Sequence, residues 1–440
     1  MRFPSRSGLF TALCGIFTGL NAAAAPAPAA TIAIEHARIH TGEGPAIEDG
    51  TLVIKAGRIA AVGAAAAVAI PADAVRVDGK DGWLTAGLFD AESRVGLNEV
   101  SLEPSTIESA LDARYDTVRP AFAVEGGWNP ASVLLPVTRL EGVTNVALVP
   151  DGGLVSGRGA VVDLAGTGFD ATELVVAAPS AVYVHYGDAG KANAFGARGG
   201  ALLRLRELVD DVRQYDKRRA DFEKNQMRHV AASRLDLEAM IPAVSGKPQL
   251  PLVVEVHRAA DILAVLRLAR DEKLRVILTG CEEGWRVAKE IAAAGVPVIV
   301  KPLADLPSSF ETLGTRLDNA ALLAKAGVTI ALSPRLEEPH NGRTLRIEAG
   351  NAVANGLPFD EALRAVTKTP AQLFGVGDRL GTLAPGKIAN VVLWSGDPFE
   401  TSTRVKKLYV RGRDVPLVSR QTLLRDRYRD LTGARPRADQ

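Results

Sequence analysis

Short, almost uninterrupted apolar runs punctuate the middle of the chain: TNVALVP (144–150), LVVEVH (252–257), RVILTG (275–280), VPVIVKPL (296–303) and VTIALSP (328–334). Runs without polar alternation suit strands buried on both faces, as in a parallel sheet covered by helices. Between the later ones lie AADILAVLRLARDEKL, EEGWRVAKEIAAAG and RLDNAALLAKAG, with apolar residues at helical spacing. Strand and helix alternating over this length predict an α/β fold, a TIM-like (β/α)8 barrel over residues 84–375.

The two ends of the chain carry another rhythm. Residues 31–83 show apolar–polar alternation with glycines at the joins, and the same pattern returns over 376–415 in DRLGTLAPGKIANVVLWSG and RVKKLYVRGRDV. β-units at both ends predict one composite β-sandwich domain built from the two. Residues 201–240 interrupt the barrel rhythm with a charge-dense stretch that predicts an inserted helix, Leu205, Leu208, Val209 and Val212 forming its apolar stripe. GGLVSGRGAVVDLAG (152–166) lacks the spacing of a phosphate-binding loop; it predicts a tight connection at the barrel mouth, with a substrate-binding loop as the alternative. Residues 416–440 are polar and predict a helix running into a tail.

Composition narrows the function classes. A formal net charge of +1 gives no electrostatic reason for a nucleic-acid partner. At the N-terminus, Arg2 and Arg6, the apolar GLFTALCGIFTGL and the small-residue NAAAAPAPAA predict a signal peptide over residues 1–25, cleaved near Ala24. Its apolar run falls short of the ~20 residues a membrane span needs, so the expectation is a periplasmic or secreted chain with no span after processing. Cys281 is then the one remaining cysteine, which leaves no intramolecular disulfide and no cysteine-built zinc knuckle. It is expected at the buried end of a strand.

Three stretches together resemble the amidohydrolase superfamily, in its imidazolonepropionase-like and prolidase-like branch. GRIAAVG followed by GWLTAGLFDAES is similar to the entry into the barrel, AGNAVANGLPFDEALRAVTKTPAQLFGV to its last helices, and DRLGTLAPGKIANVVLWSGDP to the return into the sandwich. The resemblance implies a site at the C-terminal mouth of the barrel. There, one or two divalent metals would be held by a His-x-His pair after the first strand, a carboxylated Lys or Glu, histidines ending the fifth and sixth strands, and an Asp ending the eighth.

The chain departs from that pattern. The His-x-His positions fall on Glu92 and Arg94, and a guanidinium offers only donors, so Arg94 is no ligand. Glu255 and His257, spaced i, i+2, are expected to point the same way. The sixth-strand position falls near Thr279 and the eighth on Ser333 and Pro334. Glu337, Glu338 and His340 follow in the loop, and Lys301 is charged at a buried strand end. His185 ends another apolar run, while His36, His40 and His229 are expected to be structural or superficial.

Two functions follow from these residues. One is a hydrolase of C–N bonds in amides, cyclic amides or dipeptide-like molecules. Glu255, His257 and Arg94 would be its catalytic residues, and a rearranged site on Glu92 and His257 would hold one divalent cation such as zinc, or none. The other is a non-catalytic relative that binds a small carboxylate-bearing ligand or a protein partner, with Arg94 bridged to Glu92 or Glu255 where the metal would be. Homo-oligomerisation stays open in both.

Overall fold

A computed structural model describes residues 30–111, 116–166 and 170–429. The expected signal peptide, residues 1–25, and the end of the polar tail lie outside the described residues, within which sixteen strands form two eight-stranded sheets. No helix there is long and apolar enough to cross a membrane.

The first sheet begins with β1 (Ile32–His40), β2 (Ile47–Lys55) and β3 (Arg58–Ala64), which pair antiparallel in sequence. β4 (Val75–Asp78) runs parallel to the first half of β1 and β5 (Trp83–Ala86) parallel to its second half. Ile34, Ile39, Leu52, Ile54 and Leu84 form the apolar core beneath.

The second sheet is a nearly closed barrel of β6 (Leu88–Ser93), β7 (Val143–Leu148), β8 (Val155–Asp163), β9 (Val175–His185), β10 (Leu252–Val256), β11 (Val276–Gly280), β12 (Val298–Val300) and β13 (Ile330–Leu332), neighbours in that order. Seven of these strands are parallel. β8 runs antiparallel between β7 and β9, so the segment expected to be a connecting loop is a strand of the wall. Gly157 and Gly159 obscured it in the sequence: glycine weakens a strand pattern but admits close neighbours. A Cβ on Gly159 would lie 2.6 Å from the Tyr183 ring.

The charge-dense stretch is also more than an appendage. It divides into helices Arg198–Lys217, Arg219–Glu223 and Arg234–Val244 in the β9-to-β10 crossover. Leu205, Leu208, Val209 and Val212 are buried in the main core with Met240. The stripe was legible; the two breaks, after Lys217 and at Asn225 with its φ of +54°, were not.

After three short helices, Leu345–Ala354, Phe359–Ala365 and Lys368–Leu373, the chain returns to the first sheet. β14 (Val391–Trp394) pairs antiparallel with β5, β15 (Val405–Val410) with β14, and β16 (Arg413–Asp414) with β15. Trp394 is fully buried, and its indole N–H donates to Thr85 Oγ1 at 2.9 Å. Its ring lies over Gly142 at the entry to β7, where φ is +79° and a Cβ would lie 2.0 Å from a ring carbon. Gly142→Ala is therefore expected to destabilise the fold by roughly 2–4 kcal/mol through strain and overpacking, read as a lower urea midpoint. An unchanged midpoint would mean that the indole yields.

A buried polar cluster joins the two sheets. Asp163 at the end of β8, fully buried, accepts from Asn145 Nδ2 at 2.6 Å, Asn390 Nδ2 at 2.7 Å and Arg411 Nε at 2.5 Å. Burial pushes its carboxyl pKa up, and the Arg411 charge with the amide hydrogen bonds opposes that shift.

Candidate functional site

The barrel interior is layered. On β9 to β13 the inward positions are Tyr183, Val253, Ile277, Ile299 and Ala331, one apolar cluster. Two residues further along each strand, and so on the same face, stand His185, Glu255, Thr279, Lys301 and Ser333. An apolar layer thus supports a polar one at the C-terminal ends, where barrel sites are built.

Much of the polar layer is bonded to β6. The Ser333 hydroxyl lies 2.7 Å from Asp90 Oδ1 and 2.9 Å from the Glu92 carbonyl, sharing its proton across the β13–β6 seam. Glu92, buried, accepts from Thr279 Oγ1 at 2.7 Å and has Lys301 Nζ 3.5 Å away. Asp90 is buried with Oδ2 unpartnered, and burial pushes its carboxyl up to about 8, against the Ser333 hydrogen bond.

Two histidines are each held by a carboxylate. His185 Nδ1 lies 2.5 Å from Glu255 Oε2, and His257 Nδ1 lies 2.5 Å from Glu282 Oε2. Burial would lower the pKa of both imidazoles, but the hydrogen bond and charge of Glu255 and of Glu282 outweigh it, so both are raised. Burial would raise the Glu255 carboxyl; His185, Lys301 and His257 together hold it far below the usual range.

Two cavities open at this mouth. The first, about 260 Å³, is lined by Glu92, Arg94, Asp151, Tyr183 and His185. The second, about 240 Å³, is lined by His257, Glu282, Ser309, Glu311 and Arg335. Glu255, Lys301 and Glu337 belong to both walls. Around the first, Arg94 Nε, Tyr183 Oη and His185 Nε2 are buried without a hydrogen-bond partner. Each such group is worth about 1–3 kcal/mol to whatever satisfies it. A carboxylate-held imidazole whose second nitrogen has no hydrogen bond, as His185 Nε2 with Asp151 Oδ1 3.6 Å away, can also take and give a proton.

The structure separates residues that the sequence suggested together. Arg94 does not bridge Glu92 or Glu255; its guanidinium pairs with Asp151 at 2.9 Å. Arg94 follows the end of β6 and meets the β7–β8 turn, so it leans along the rim while Lys301, in the inward layer, reaches Glu92. Glu255 and His257 do approach, at 3.7 Å, but β10 ends at Val256 and His257 rises into the second cavity, whereas Glu92 faces the first. Among the described residues no group of three or more His, Cys, Asp and Glu side chains is arranged to hold a metal ion. Glu337 reaches both cavities, while His36 and His229 are exposed, His340 is half-exposed and His40 stacks on Trp83. Tyr183 was missed, although it sits two residues before His185 on an alternating strand. Cys281 is buried, as its strand-end setting required.

A barrel with a polar, cavity-bearing C-terminal mouth and a sheet assembled from both chain ends defines an α/β-barrel protein of mixed architecture. The sequence model of the amidohydrolase family matches residues 219–415. Imidazolonepropionase from Aromatoleum aromaticum is 27% identical over 388 residues, 82% of this chain and 90% of that protein. A 72-residue stretch is 33% identical to Amidohydrolase tasK from Hapsidospora irregularis, covering 16% of this chain and 7% of that much longer protein. An amidohydrolase structure from Thermotoga maritima superposes with a TM-score of 0.78 at 25% identity, over 88% of this chain and 99% of its own. The match over residues 219–415 and these likenesses support an amidohydrolase superfamily assignment and an amidohydrolase-family hydrolase.

Proposed function

We propose that the chain is a periplasmic or secreted hydrolase that takes a small amide, cyclic amide or dipeptide-like molecule into the 260 Å³ cavity and works there without the family's metal pair. The observation that carries this reading is that three residues lining that one cavity, Arg94, Tyr183 and His185, each hold a buried polar atom without a hydrogen-bond partner, Nε, Oη and Nε2, the last with Asp151 Oδ1 3.6 Å away. The arginine and tyrosine groups suit a carbonyl or carboxylate oxygen. His185 supplies proton transfer: Nε2 takes a proton from water as the water oxygen bonds the carbonyl carbon. The same proton then passes to the leaving nitrogen as the C–N bond breaks, giving an acid and an amine. The residues do not fit a metal pair, since Arg94 can only donate and the Glu92 carboxylate is held by Thr279 and Lys301. The signal-like residues 1–25 support the location.

A second reading, binding without turnover, is favoured by the ion pairs Arg94–Asp151 and Lys301–Glu92, which satisfy the mouth's charges internally. One experiment separates the two: a panel of N-acyl amino acids, cyclic amides and dipeptides tested for turnover and for thermal stabilisation, with and without chelator. Chelator-resistant turnover is expected. It should fall on the order of 100-fold in His185→Gln, and binding should weaken about 5- to 10-fold in Tyr183→Phe. Stabilisation by a panel member without turnover would favour the binder, and turnover abolished by chelator and restored by zinc would sink the metal-free site.

A further inference from the structure

The formal net charge of +1 conceals one strongly basic end: residues 404–429 hold nine Lys and Arg against two Asp. Part of that charge is spent inside the fold. Arg411 is bonded to Asp163, and Lys407 Nζ lies 2.7 Å from Asp414. Much of the rest lies on helix Arg420–Tyr428, which follows the outer strands β15 and β16 of the first sheet. The start of this helix is fixed, since buried Ser419 and Thr422 form a capping box. Yet none of its nine residues is buried, and Leu423, Leu424 and Tyr428 are 61%, 43% and 48% exposed. Its ion pair, Arg425 with Asp426, and its ring contact, Arg427 over Tyr428, are internal. A helix of this length is marginal in water, and burial of those three side chains is the stabilisation still open to it.

We propose that this helix lies on an anionic phospholipid surface, with Leu423, Leu424 and Tyr428 entering the acyl boundary and Arg420, Arg425 and Arg427 meeting the phosphates. Residues three and four apart share a helix face. By that spacing Arg420 and Arg427 each flank both leucines, and Leu424 flanks Tyr428. Asp426 stands beside Thr422, on the side away from Leu424 and Tyr428. One face therefore mixes apolar side chains with guanidinium groups and leaves out the one acid. A protein interface depletes charge from its centre and places it on the rim. A lipid interface accepts arginines among leucines, because their stems stay in the apolar layer while the charged ends rise to the phosphates. The helix is too short and too charged to cross a bilayer, in keeping with the lack of any spanning helix among the described residues. The inference is independent of the barrel mouth and of turnover there.

The test uses the chain from residue 26 onward, which keeps every described residue and removes the apolar run at 8–20. It is sedimented with vesicles of phosphatidylcholine alone and with vesicles holding about one-third phosphatidylglycerol. Binding is expected on the anionic vesicles only, and should fall on the order of tenfold between about 0.05 and 0.3 M NaCl. Arg425→Gln with Arg427→Gln should weaken it roughly 20-fold, about fivefold for each arginine. Leu423→Ser with Leu424→Ser should weaken it roughly tenfold. Both double variants should keep the wild-type urea midpoint, since the helix buries nothing in the fold. Absence of binding to anionic vesicles at low salt, or wild-type binding by either double variant, would overturn the proposal. So would a lowered midpoint, which would place the helix against the fold, or a dimer that the leucine pair abolishes and vesicles leave intact, which would seat this face on a second copy.

Discussion

Asp163→Ala is expected to lower the stability of the chain by about 3–5 kcal/mol, the largest loss expected from a single residue outside the mouth. The carboxylate accepts from three donors drawn from both sheets, Asn145 on β7, Asn390 just before β14 and Arg411 after β15. Alanine leaves a guanidinium and two amide groups facing a cavity that water cannot easily fill, and each lost partner adds its desolvation penalty. The burial that raises the Asp163 pKa means that the network is costly to form, so half of it is worse than none. Asp163→Asn, with an oxygen retained and the charge gone, should lose about 1–2 kcal/mol less than alanine. Equilibrium urea unfolding measures both; limited proteolysis should also release the residues after 390 earlier in Asp163→Ala. Wild-type midpoints in both variants would mean that packing alone joins the sheets.

The second large effect is on pH dependence and runs through Asp90. Burial holds its carboxyl at about 8 in the fold, against 3.8 for an ordinary aspartate. The folded state therefore holds a proton that the unfolded state releases. Stability from this group is fully present below about pH 4 and is lost as pH rises through about 8. The slope is about 1.4 kcal/mol per pH unit and the whole on the order of 5 kcal/mol. Asp90→Asn keeps the acceptor for Ser333 and the Glu92 amide but cannot ionise. The variant should therefore gain on wild type steadily between pH 5 and 8 and hold its advantage at pH 9. Denaturation midpoints at those pH values measure the difference; parallel curves for the two chains would place the proton elsewhere.

The barrel was legible because its strands are almost wholly apolar, and the mouth was legible to the extent that the inward layer continues two residues past each apolar anchor. That rule finds His185, Glu255, Thr279, Lys301 and Ser333 from Tyr183, Val253, Ile277, Ile299 and Ala331. It does not say which side chains meet. Arg94 and Lys301 carry the same charge, and the distance from each to Glu92 depends on the closure of the sheet between β13 and β6, which spans most of the sequence. β6 itself defies alternation, since its pairing with β7 shifts register on both sides of Asp90. Strand β8 was hidden by glycines that its neighbours require. Tyr183 was overlooked because an aromatic among valines reads first as core, which it is, while the residue also lines the first cavity.

The pairing of β14 with β5 bears on how this chain can fold as a ribosome delivers it. Strands β1 to β5 emerge first but remain one neighbour short until residues 391–394 arrive, after the entire barrel has been made. During that interval β5 offers an unpaired row of backbone donors and acceptors, the kind of edge that templates association with other chains. Vectorial delivery thus leaves the earliest-made sheet to be finished by the last-made strands. A chain interrupted before residue 391 would retain every barrel strand yet stay adhesive at its N-terminal domain.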